Sequence, residues 1–152
     1  MRITLAAVGR DKPGPARDLY LHYTKRLNWP FTLREVEERK ALPSPALKLR
    51  ESELLRDAVP KGATLVALDE RGRNLTSPEF AHLIGQWRDN GVQDLAFVIG
   101  GADGLHEGLR DKAACSISFG RMTWPHMMVR ALLAEQIYRA QSILAGHPYH
   151  RD

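Results

Sequence analysis

The sequence predicts an α/β domain built on a mostly parallel sheet. Three observations carry this. Apolar strand-like runs alternate with helix-period segments along the whole chain. Two of the runs, Thr64–Asp69 and Leu95–Ile99, are almost entirely apolar, as befits strands covered on both faces. Helix start and stop residues fall between the runs rather than inside them.

In order, residues 3–8 form a first strand, followed by a polar loop from Gly9 to Pro15. Leu19, Tyr20, Tyr23 and Leu27 then recur at helical spacing. Residues 31–36 (Phe-Thr-Leu-Arg-Glu-Val) alternate like a half-buried strand. Pro43 and Pro45 break the chain before a helix carrying Leu47, Leu54 and Leu55. The third strand, Thr64–Asp69, runs into an expected polar loop over residues 70–74. Thr76-Ser77-Pro78-Glu79 is a helix start: a capping hydroxyl, an early proline and a glutamate completing a capping box. Ala81, Leu83, Ile84 and Trp87 supply that helix's apolar face, and Asn90-Gly91 ends it. The fourth strand, 95–99, meets Gly100-Gly101-Ala102-Asp103-Gly104 directly. A short helix near 107–113 leads to a fifth strand at 115–119 and a last long helix near 128–144, closed by Gly146.

Nothing divides the 152 residues: there is no repeat, low-complexity tract or Gly/Ser linker, so one domain over 1–152 is expected. No apolar run approaches the roughly 18–20 residues of a membrane span. The six-residue apolar pattern at the start is shorter than the core of a signal peptide. A single cysteine, Cys115, rules out an intrachain disulfide and suits a reducing compartment, so a cytoplasmic location is expected. The net charge is +4, with Arg far outnumbering Lys. Planar guanidinium forks suit phosphate, so nucleic acid is one partner class this balance favours; genome composition produces the same excess.

Ligands of open α/β sheets bind beyond the C-terminal ends of the strands. Three segments leave such ends here: 68–74, 100–104 and 120–125. The paired glycines of the second allow close backbone approach to a ligand, or simply a tight turn. Neither G-x-G-x-x-G nor a P-loop pattern is present, which disfavours dinucleotide and P-loop nucleotide chemistry. The third segment, Gly120-Arg121-Met122-Thr123-Trp124-Pro125-His126, mixes backbone donors, a hydroxyl and apolar surface. It suits a ligand with an aromatic ring and a polar tail, or serves as a plain strand-to-helix loop. In the last helix Glu135 and Arg139 stand four apart in the favourable order. The tail, His147-Pro148-Tyr149-His150-Arg151-Asp152, joins aromatic, imidazole and guanidinium groups that suit a splayed RNA base and its phosphate. An isolated His-x-x-His without further clustered ligands does not make a zinc site, and no metal is expected.

Taken together, Leu68-Asp69, Ile99-Gly100-Gly101-Ala102-Asp103-Gly104, Met122-Thr123-x-Pro125-His126-x-x-x-Arg130, 134–140 (Ala-Glu-Gln-Ile-Tyr-Arg-Ala) and His147-Pro148-Tyr149-His150-Arg151 stand in a characteristic order. Their spacing resembles the RlmH (YbeA-like) family of SPOUT-class 23S ribosomal RNA pseudouridine N3-methyltransferases, over the whole chain. The resemblance implies a C-terminal trefoil knot, against the general rule that chains are unknotted. It implies S-adenosylmethionine as methyl donor, bound by Leu68, Gly101, Gly120, Arg121, Met122, Thr123, Trp124 and Pro125. It further implies a homodimer in which Tyr149, His150 and Arg151, the candidate catalytic residues, meet 23S ribosomal RNA, in the large subunit or the assembled 70S ribosome, at the partner's site. Trp124 and Arg121 depart from or vary within the family pattern, so their backbone rather than their side chains is expected to matter. Two other functions fit the same composition: a ribosome-associated RNA-binding factor without catalysis, and a SPOUT methyltransferase of transfer RNA.

Overall fold

A computed structural model describes residues 1–151. Among them run β1 (Arg2–Val8), α1 (Pro15–Thr24), β2 (Phe31–Val36), α2 (Ser44–Ala58), β3 (Thr64–Asn74) and α3 (Ser77–Asp89). β4 (Asp94–Ile99), α4 (Glu107–Lys112), β5 (Cys115–Ser118) and α5 (His126–Leu144) follow. The strands pair in the order β2-β1-β4-β3-β5, every neighbouring pair parallel. The α/β class and the parallel sheet expected from the apolar runs are therefore observed. Asp152, the last residue of the tail, lies outside the described residues.

Strand alternation divides the core into two unequal parts. Ile3, Leu5 and Ala7 of β1, Val66 and Leu68 of β3, and Leu95, Phe97 and Ile99 of β4 share one cluster with buried residues of α1, α3 and α5. The intervening Ala6, Ala67 and Val98 face a smaller cluster with Leu55 of α2, Leu105 and Leu109. Large side chains thus point toward three helices and small ones toward two, which lets α2 and α4 pack close to the sheet.

Local signals largely hold. Thr76 Oγ1 accepts from Glu79 N at 3.2 Å and Glu79 Oε2 accepts from Thr76 N at 2.7 Å, completing the capping box. Asn90 caps that helix and Gly91 turns at φ 83°, a region that favours glycine. Pro45 does not break α2 but sits in its first turn. α5 begins at His126, two residues before the expected start, with Pro125 as its N-cap.

The main departure is β3. Residues 70–74, expected as a loop on their composition, continue the strand. Pairing with β5 breaks after Leu68↔Ile117 and resumes at Arg73↔Ile117. The intervening residues are extra relative to β5, and Gly72 carries the chain back against it. A Cβ on Gly72 would lie 2.6 Å from the Ile117 backbone nitrogen, so glycine permits the close approach.

Candidate functional site

The extra residues of β3 open onto a cavity of about 340 Å³, within the usual range for small-molecule clefts. Its wall comes from three places, all at the C-terminal ends of parallel strands. β3 supplies Leu68, Asp69, Glu70 and Arg71; β4 supplies Ile99 and the following Gly100 to Gly104; β5 and its exit supply Ile117, Phe119, Gly120, Met122, Thr123 and Trp124. His126 and Val129, at the start of α5, close the far side.

Each wall segment is fixed by its own chemistry. The glycine loop folds back on itself: Gly104 N donates to Gly101 O at 2.9 Å, and Gly104 holds φ 81°. A Cβ on Gly100 would lie 2.7 Å from the Gly104 carbonyl carbon, so this hairpin is tight enough to exclude side chains. Beyond it, His106 N donates to Ser52 Oγ on α2 at 3.1 Å, pinning the loop's exit. Asp69 accepts from the Arg71 backbone N–H at 2.9 Å, shaping the turn-out of β3. In the third segment Gly120 N donates to Ser118 Oγ at 3.1 Å, and Gly120 adopts φ 109°. Trp124 Nε1 donates to Phe119 O at 3.3 Å, folding the indole back over its own loop. Met122 is 76% exposed, an apolar surface left open beside the cavity.

Of the residues the sequence nominated for cofactor, Leu68, Gly101, Gly120, Met122, Thr123 and Trp124 are brought together on this wall. Arg121 and Pro125 are their chain neighbours but stand outside it, Pro125 as the cap of α5. Thr123 does not cap that helix.

Tyr149, His150 and Arg151 are not part of the same wall. The Tyr149 hydroxyl donates to Glu135 Oε1 at 3.0 Å and lies 3.2 Å from Tyr23 Oη. Its ring meets Tyr138 edge-on, with centroids 4.8 Å apart, and the Arg139 guanidinium stacks on it, also at 4.8 Å. Arg139 in turn pairs with Glu135 and lies 3.2 Å from His150 Nδ1. Burial first, then the bonds to Tyr23 and Glu135, raise the Tyr149 pKa above the ordinary phenol value. Arg151 is exposed. The tail is therefore docked on the α1–α5 side of its own chain.

Sequence reasoning passed over Glu51, on the buried side of α2 beneath the glycine loop. Its signal is local: Leu47, Glu51 and Leu55 are four apart, which places a carboxyl on an apolar helical stripe. It also named Arg130 without a role. Arg130 is 2% exposed, pairs with Glu35 at 2.6 Å and donates to Gly9 O at 3.2 Å.

Comparison with known proteins fits this geometry. The family described as predicted SPOUT methyltransferase matches residues 1–150. The chain is 63% identical over 151 residues to the ribosomal RNA large subunit methyltransferase H of Rhodospirillum centenum, spanning 99% of each. It is 58% identical over 151 residues to the protein of the same name from Paramagnetospirillum magneticum, again spanning 99% of each. A probable methylase family protein from Haemophilus influenzae has a similar fold, with a TM-score of 0.59 at 15% identity, over 99% of this chain and 70% of that one. With a full-length family match and relatives of this identity, the chain belongs to the SPOUT methyltransferase family, in the branch of the ribosomal RNA large subunit methyltransferase H proteins.

Proposed function

We propose that the protein methylates N3 of a pseudouridine in 23S ribosomal RNA, in the large subunit or the assembled 70S ribosome, with S-adenosylmethionine as methyl donor. The observation that carries this is the cavity between the three strand ends, in a chain so close to large-subunit ribosomal RNA methyltransferases throughout its length. The residues present fit the cofactor. Gly100 and Gly101 give it backbone without side chains, Leu68, Ile117 and Trp124 give apolar surface for an adenine, and Asp103 gives a carboxylate for a cationic group. When bound, it supplies a methyl group already activated by its sulfonium. The protein's own work is then chiefly alignment, which is worth roughly 7–11 kcal/mol when reacting atoms are held in place. A base taking the N3 proton adds about 10²- to 10⁴-fold.

The reading includes a single domain, a knotted C-terminal region and a homodimer in the cytoplasm. Support for the dimer comes from the docked tail: Tyr149, His150 and Arg151 stand away from their own cavity, which suits service at a partner's. In that arrangement Arg151 holds RNA phosphate, and His150 orients the base or accepts its proton. Tritiated cofactor offered with 70S ribosomes, 50S subunits and transfer RNA separately tests the function. Label in either ribosomal substrate supports it; label in transfer RNA reassigns the substrate; RNA binding with no label leaves a non-catalytic factor. Replacing Tyr149, His150 and Arg151 one at a time by Ala tests the tail, and full methylation by all three variants removes it from the site.

A further inference from the structure

Glu51 is 7% exposed, yet no hydrogen bond or ion pair reaches its carboxyl among the described residues. Holding a carboxyl largely out of water with no partner is unfavourable, although its oxygens keep some contact with solvent. The carboxyl is aimed at a residue of the cavity wall: a Cβ on Gly101 would lie 2.7 and 2.9 Å from its two oxygens. Burial raises the Glu51 pKa, and the nearby Asp103 carboxylate raises it further. Two acids therefore crowd one glycine loop, and no cation of the described chain is bonded to either. Like charges so placed oppose one another until a cation joins them.

The proposed methyl donor is such a cation. Its sulfonium adds one positive charge to an otherwise zwitterionic amino acid, and its demethylated product, S-adenosylhomocysteine, lacks that charge. We propose that Glu51, backed by Asp103, is a specificity-determining residue that makes the glycine loop favour the cationic methyl donor over its neutral product. This rests on the cofactor assignment above. The consequence is easier exchange of spent for fresh cofactor, since departure of the methyl group removes the charge that the acids hold.

Calorimetry on the full chain with S-adenosylmethionine and S-adenosylhomocysteine, for wild type and Glu51→Gln, tests it. The isosteric amide removes the charge and keeps the shape. The expected result is about tenfold weaker binding of the methyl donor, the scale of one partly screened charge interaction, with the product changed less than about twofold. KM for the donor rises in step, kcat changes little, and Glu51→Asp recovers most of the preference. Equal losses for both ligands, or no loss for either, overturn the proposal. If circular dichroism shows Glu51→Gln to be unfolded, Asp103→Asn gives the same comparison: a loss confined to the donor supports it, and parallel or absent losses overturn it. A wild-type chain that binds neither ligand overturns the cofactor assignment itself, which is a distinct outcome.

Discussion

The C-terminal edge of the sheet is finished in two ways. Over β1 and β2 it is closed by charges: Glu35 Oε2 takes Arg130 Nη1 at 2.6 Å and the Asp11 backbone N–H at 2.5 Å, Arg130 Nη2 donates to Gly9 O, and Arg17 pairs with Asp11 at 2.9 Å. Over β4, β3 and β5 it is left open around a cavity, walled by glycine backbone, apolar side chains and the polar groups of Asp69, Arg71, Asp103 and Thr123. One helix serves both halves. His126 and Val129 of α5 wall the cavity, and Arg130, the next residue, is locked into the charged half. The difference teaches a division of labour: ionic bonds fix where α5 begins, and that fixes one end of the loop from Phe119 to Pro125.

Breaking the closed half has the largest expected effect. Arg130→Met strands Glu35 and loses the bond to Gly9 O; since Glu35 keeps 30% exposure, the loss sits at the lower end for a broken buried pair, about 3 kcal/mol by urea unfolding. Methyl-donor affinity falls with it, because the loop loses its anchor. Breaking the open half separates binding from stability. Gly101→Leu presses a side chain onto the Glu51 carboxyl and into the loop, and S-adenosylmethionine binding weakens by at least about 100-fold (about 2.7 kcal/mol), with a smaller fall in stability than in Arg130→Met. Wild-type affinity in Gly101→Leu would show that the loop is not where the cofactor sits.

Smaller changes sharpen the contrast. Gly72→Ala drives a methyl into the Ile117 backbone, which cannot step aside as a side chain tip can, and costs about 2 kcal/mol of thermal or urea stability. Thr76→Ala, which touches neither half's wall, costs about 1 kcal/mol through loss of one cap bond. The partner bond, from the Thr76 backbone N–H, holds the Glu79 pKa below the usual carboxylate range. Glu79 therefore adds stability that is present above its unfolded pKa and lost as pH falls through the lowered folded value. Glu79→Gln should be less stable than wild type near pH 7, with the gap closing in acid; a gap independent of pH refutes the assignment.

What could be read from the sequence was what neighbours in the chain decide. The capping box at Thr76, the alternation over Phe31–Val36 and the glycines leaving β4 are local patterns, and each marks its element. Residues 70–74 misled because Glu, Arg, Gly and Asn usually make loops; their strand exists through β5, some 45 residues on, and through a glycine whose role is closeness. Arg130 gave no hint of its partner because Glu35 lies 95 positions away. Tyr149 meets Tyr23 across 126. The cavity's glycines and the Met122–Trp124 loop were legible as features of strand ends, but their convergence depends on strand order, which no local pattern encodes.

That strand order, β2-β1-β4-β3-β5, also sets a sequence of events in time. β4 must insert between β1 and β3, and β5 must reach the outer side of β3, before the three wall segments meet. Parallel pairings over such chain separations are slow steps, because loop-closure entropy is spent before the contacts form. The cavity is thus a late product of refolding, complete when the outermost strand has docked. Recovery of S-adenosylmethionine binding should trail recovery of helical circular dichroism after dilution from urea. Once formed, the cavity lets bound ligand pull the whole equilibrium toward the native chain by mass action.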